Sequence, residues 1–107
     1  MKSTTMDRAV TVGACRVELA ARRVFVREAE VNLTPQEYAL LDALVRNRDR
    51  ALSREQLLQQ AWGYTYGGDT RTVDVHIQKL RKKLDLAKEI QTVYKLGYRL
   101  SDERETG

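Results

Sequence analysis

The side chains with most to offer another molecule lie in one stretch, RTVDVHIQKLRKKL, at positions 71 to 84. It holds five cations (Arg71, Lys79, Arg81, Lys82 and Lys83), one histidine (His76), one amide (Gln78) and a single carboxylate, Asp74. On a helix that turns by roughly 100° per residue, Val73, Ile77, Leu80 and Leu84 fall in one narrow sector. That sector predicts the buried face. Arg71, Val75, Gln78, Lys79 and Lys82 point the opposite way, with Thr72, His76, Arg81 and Lys83 on the flanks. Such a face can neutralise phosphate charge and make paired hydrogen bonds to base edges, so it suits the major groove of duplex DNA. Val75 has the size to meet a thymine methyl, and Gln78 carries the donor and acceptor that match an adenine edge. Most cationic helices are merely solvated. Here the lysines lack the carboxylates at helical spacing that would pair with them, which leaves their charge for a partner.

Other chemistry is poorly provided for. Catalysis needs converging acids, bases or nucleophiles, and the chain has one histidine, one cysteine and no metal-ligand spacing. Gly67-Gly68 precedes a helix but has neither the lysine nor the preceding strand of a phosphate-binding loop. Cys15 reads as a small buried hydrophobe. No enzyme activity and no cofactor are expected.

With 107 residues the chain makes one domain with one core. A lone cysteine permits no internal disulfide and agrees with a reducing cytoplasm. No apolar run approaches membrane-spanning length and the start, MKSTTMDR, has no signal-peptide core, so a cytoplasmic protein without a membrane partner is expected. The 19 Lys and Arg against 15 Asp and Glu give a net +4. Residues 71 to 83 account for all of it, so the charge is concentrated on one helix.

The elements that must position this helix follow from pattern. Residues 1–8 are unpatterned and read as a disordered linker or vector-derived start. From 9 to 33 the period is two, with Val10, Val12, Cys15, Val17, Leu19, Val24, Val26, Val31 and Leu33 marking four short antiparallel strands. Their turns fall at Gly13-Ala14, Ala20-Ala21 and Arg27 to Glu30. Thr34-Pro35-Gln36-Glu37 is a capping box with a proline start for a first helix bearing Tyr38, Leu41, Leu44 and Val45. Ala51-Leu52 reads as an extended connector. Ser53 and Gln56 form a second capping box before a helix that ends at Gly63. Thr70 or Asp69 is placed to cap the cationic helix. Ile90, Val93, Tyr98 and Leu100 flank a reversal near Lys95-Leu96-Gly97, which predicts a terminal hairpin at 90–100. Residues 102–107 read as a frayed tail. The expected class is α+β: a winged helix-turn-helix domain over 9–101, with an N-terminal four-stranded antiparallel sheet, three helices over 34–84 and a C-terminal β-hairpin wing. In such modules the last helix lies in the major groove.

Four segments, LTPQEYALLDAL at 33–44, LSREQLLQQAWG at 52–63, RTVDVHIQKLRKKL at 71–84 and QTVYKLGYRL at 91–100, resemble the effector domain of OmpR/PhoB-type response regulators in order and spacing. The resemblance implies sequence-specific binding to promoter DNA by two protomers head to tail on direct repeats. It implies base contacts from Val75, Gln78, Lys79 and Lys82, and phosphate contacts from Arg71, Thr72, His76, Arg81, Thr92 and Tyr98. The loop Gly63, Tyr64, Thr65, Tyr66, Gly67, Gly68 and Asp69 matches the segment through which the family touches RNA polymerase. Trp62, at its start, reads as a core residue. In the wing, Tyr94 and Lys95 stand where many members carry Arg-Gly, so Lys95 is left for a looser phosphate contact. Gln78 and Lys79 replace commoner basic residues, which shifts preference from guanine towards adenine. The family's phosphorylatable receiver module, through which a sensor kinase would act, does not fit in this length, so an excised effector domain is expected. The rival readings are a winged helix that docks on an acidic protein and a reader of RNA.

Overall fold

The computed structural model describes residues 9–101; the expectations for 1–8 and 102–107 lie outside the described residues. Four strands, β1 (Ala9–Val12), β2 (Cys15–Glu18), β3 (Arg23–Val26) and β4 (Ala29–Val31), form an antiparallel sheet in sequence order. The third turn is shorter than expected. Arg27 and Glu28 both adopt positive φ, at 49° and 72°, which reverses the chain in two residues and frees Ala29 and Glu30 to pair with Val26 and Phe25.

Helix α1 (Pro35–Arg46) begins as its sequence predicts. Thr34 Oγ1 accepts from the Glu37 N–H at 3.1 Å and Glu37 Oε1 accepts from the Thr34 N–H at 3.0 Å. The two reciprocal bonds satisfy N–H groups that have no partner inside the helix. Ser53 and Gln56 repeat the arrangement at the start of α2 (Arg54–Trp62). Gly63 closes α2 at φ 98°, a value that side chains with a Cβ rarely adopt.

The connector before α2 is in fact a strand. Leu52–Ser53 (β5) pairs with β7 (Gly97–Leu100), which pairs in turn with β6 (Ile90–Val93). The hairpin is therefore not a free appendage. Gly97, expected at the reversal, is the first residue of β7, and its role is contact: a Cβ there would lie 2.1 Å from the Leu52 carbonyl oxygen. The tight turn itself falls at Val93 to Leu96, with Lys95 at φ 60°.

Helix α3 (Arg71–Leu84) buries Val73, Ile77, Leu80 and Leu84 completely. They join Leu40, Leu41 and Leu44 of α1, Leu57 of α2, Val12, Cys15 and Val17 of the sheet, and Ile90 and Leu100 of the hairpin in one core. Each such aliphatic side chain contributes about 1.5–3 kcal/mol by leaving water. The core thus fixes α3 by its apolar stripe and turns the remainder of the helix outward.

Candidate nucleic-acid interface

Asp69 starts α3. Its Oδ1 accepts from the Arg71 N–H at 2.9 Å and its Oδ2 holds the Arg71 guanidinium at 2.8 and 3.0 Å. Thr70, the alternative cap, makes no side-chain bond because its backbone is already helical, at φ −66° and ψ −14°. Arg71 and its backbone N–H hold the Asp69 carboxyl below the usual carboxylate range.

Beyond that turn, Val75, Gln78, Lys79 and Lys82 are exposed on the face opposite the core stripe, and Val75 keeps 52% of its surface in water. Among the described residues Lys79 and Lys82 form no ion pair. The other cations of α3 are engaged. Arg71 is held by Asp69, and Lys83 Nζ lies 2.7 Å from Glu37 Oε1. Arg81 donates to the Ile90 carbonyl oxygen at 3.0 and 2.6 Å and to Thr92 Oγ1 at 2.9 Å. The unpaired charge is narrower than the count of basic residues implies.

Two of the expected phosphate contacts already have partners inside the chain. Tyr98 is only 4% exposed, and its hydroxyl donates to Asp74 Oδ1 at 2.6 Å. Burial and that bond both push the phenol above its ordinary value, so it stays protonated and committed inside the fold. Arg81 is likewise an internal tie, since three of its five N–H groups serve the hairpin. His76 and Thr72 are half-buried on the flank of α3, where His76 Nδ1 lies 2.8 Å from the Thr72 carbonyl oxygen. The His76 ring meets Trp62 edge-on at 5.0 Å, which makes Trp62 a half-buried spacer between α2 and α3 more than a deep core residue.

At the hairpin, Thr92, Tyr94 and Lys95 are exposed, Tyr94 at 83%, and Lys95 Nζ lies 5.5 Å from the Tyr94 ring centre. The loop from Gly63 to Asp69 leaves Tyr64 82% and Tyr66 41% exposed, with Tyr66 leaning on Trp62 at 6.2 Å.

Two residues named in the sequence have long-range partners that no local pattern indicates. Asp74 accepts from Arg54 Nε at 2.8 Å as well as from Tyr98, so it joins α2, α3 and β7. Its isolation among cations was the available signal. Glu37 is 2% exposed and pairs with Lys83 while it caps α1. Burial alone would raise its carboxyl, but Lys83 and the Thr34 N–H outweigh it and hold the group below the usual range. Burial, with the charge of Glu89, pushes the Cys15 thiol up to about 11, so it is not a thiolate nucleophile near neutral pH.

A family model described as the C-terminal domain of transcriptional regulatory proteins matches residues 28–100. The transcriptional regulatory protein SrrA of Staphylococcus aureus is 46% identical over 84 residues, covering 74% of this chain and 35% of SrrA. The chain thus spans about a third of the length of that relative. Among solved structures, the DNA-binding domain of Bacillus subtilis CssR is similar at 34% identity and a TM-score of 0.72, over 80% of this chain and 98% of that one. The Klebsiella pneumoniae RstA DNA-binding domain, solved in complex with the RstA box, is similar at 30% identity and a TM-score of 0.75, over 89% of this chain and 98% of that one.

Proposed function

The chain belongs to the family of C-terminal domains of transcriptional regulatory proteins, the OmpR/PhoB-type effector domains, and from that footing we propose that it binds promoter DNA sequence-specifically. Helix α3 enters the major groove, and the hairpin β6–β7 lies on the adjoining backbone. The observation that carries the reading is the exposed row Val75, Gln78, Lys79 and Lys82, which the core stripe aims away from the protein. Gln78 and Val75 read adenine and thymine, Lys79 and Lys82 line the groove, and Arg71, Thr72, His76, Thr92 and Lys95 serve phosphates. For Arg71 this means exchanging Asp69 for a DNA phosphate, a cheap exchange because the pair is exposed to water.

Two protomers occupy direct repeats head to tail, and the aromatic loop at 63–69 meets RNA polymerase. In a longer chain such as that of SrrA, a receiver module under a sensor kinase would gate this output. The setting is the cytoplasm; no helix among the described residues is long and apolar enough to cross a membrane.

Selection of duplexes from a random pool, followed by salt titration of the best one, tests the proposal. With about four phosphates neutralised per protomer, log affinity should fall against log salt with a slope of about −3 to −4. A flat titration, or equal affinity for single strands, would remove the DNA reading and favour a protein or RNA partner.

A further inference from the structure

His76 is the one histidine of the chain, and its ring faces the one tryptophan. Its Nδ1 lies 2.8 Å from the Thr72 carbonyl oxygen, a helical turn back. A carbonyl oxygen only accepts, so Nδ1 must carry the hydrogen. The neutral ring then has its free lone pair on Nε2. Among the described residues Nε2 has no hydrogen-bond partner and is not an enclosed atom, so it opens to water on the flank of α3. Around the ring, α3 brings Lys79 one turn on and Lys83 two turns on, the latter held by Glu37 of α1. From α2 comes the indole of Trp62, edge-on at 5.0 Å, with Tyr66 of the loop behind it. No carboxylate among the described residues forms an ion pair with the imidazole.

A phosphate oxygen, like a carbonyl oxygen, is an acceptor. The neutral ring therefore meets phosphate lone pair against lone pair at Nε2. The imidazolium has hydrogen on both nitrogens and can keep Thr72 while it donates to phosphate. Turning the neutral ring to offer Nδ1 instead would give up the Thr72 bond. We propose that His76 holds a DNA phosphate only as the imidazolium, so that each protomer takes up a proton from solvent at Nε2 when it binds. The proposal rests on the DNA-binding reading above and adds a proton linkage to it. An opposite charge against the ring favours its charged form, so the titration midpoint of His76 rises on DNA. By linkage, the gain in affinity is full below the midpoint of the free chain and is lost as pH rises through that of the complex.

A single histidine gives a single imidazole signal by NMR, so its titration is followed directly, with and without the selected duplex at one ionic strength. The midpoint should rise by about one pH unit on the duplex. Nitrogen chemical shifts of the free, neutral ring should place its proton on Nδ1. Affinity for that duplex should rise about five- to tenfold between pH 8 and pH 5.5, and His76→Gln, whose amide donates at every pH, should abolish the rise. The α-amino group also titrates in this range, but it is common to both chains and drops out of the comparison. A midpoint that the duplex leaves unmoved overturns the proposal, as does a neutral ring protonated on Nε2, or the same pH dependence in His76→Gln. The NMR titration needs no variant, so it decides even where His76→Gln folds poorly. If no duplex is preferred at either pH, the DNA reading falls as well; specific binding that is indifferent to pH leaves that reading standing and removes this one.

Discussion

Lys79 and Arg71 are both exposed cations at α3, yet they differ in what surrounds them. Lys79 stands on the exposed outer face, whereas Arg71 sits at the helix start beside Asp69. Lys79→Ala should lower affinity for the selected duplex by about 1–3 kcal/mol and relax preference at one base position, while Arg71→Ala should weaken all duplexes alike. Binding to a panel of single-base variants separates the two outcomes. Glu37 makes a different prediction. Its folded-state pKa is depressed, so the stability it supplies is full above its ordinary value of 4.5 and is lost as pH falls through the lower folded value. Melting temperature should therefore fall in acid below about pH 4.5, and Glu37→Gln should flatten that fall while lowering stability at pH 7 by about 1–2 kcal/mol, the partly exposed Lys83 moderating the loss. The cap made by Glu37 was legible because both partners lie three residues apart in sequence. Its bond to Lys83 spans 46 residues, and no local pattern announces it.

Among the elements, those set by local chemistry were read closely. The two capping boxes located α1 and α2, and the stripe on α3 was read residue by residue. What was missed depends on pairing at long range. Leu52 and Ser53 are too few to show a strand period, and they become β5 only because β7 approaches. Asp69 and Thr70 suit the start of α3 equally well by sequence, and only the helical backbone of Thr70 leaves the side-chain bond to Asp69. Gly97 shows how close the approach of β5 and β7 is. Gly97→Ala must displace the Leu52 carbonyl or the Arg54 N–H, so a loss of about 1–3 kcal/mol in urea unfolding is expected. Gly67→Ala, where nothing lies within 4 Å of the added carbon, is the control and should change stability little.

At the scale of the whole molecule, the N-terminal sheet, the three helices and the hairpin share one core, in which α3 packs directly on α1 and α2. The class of fold was legible because alternation, capping and the charged helix all agreed, each pointing to the same arrangement. The charge that α3 leaves available was legible only in outline. Composition counts cations but does not say which are already engaged, and here Arg71, Arg81 and Lys83 have internal partners while Lys79 and Lys82 form no ion pair among the described residues. A DNA footprint smaller than the basic stretch and centred on its outer row is therefore expected. The direct measurement is an amide-resolved NMR titration of the chain with its selected duplex. The largest shifts should fall on Val75, Gln78, Lys79 and Lys82, with a second group at Thr92 to Lys95. Shifts confined to the loop at 63–69 or to the N-terminal sheet, with α3 unmoved, would contradict this.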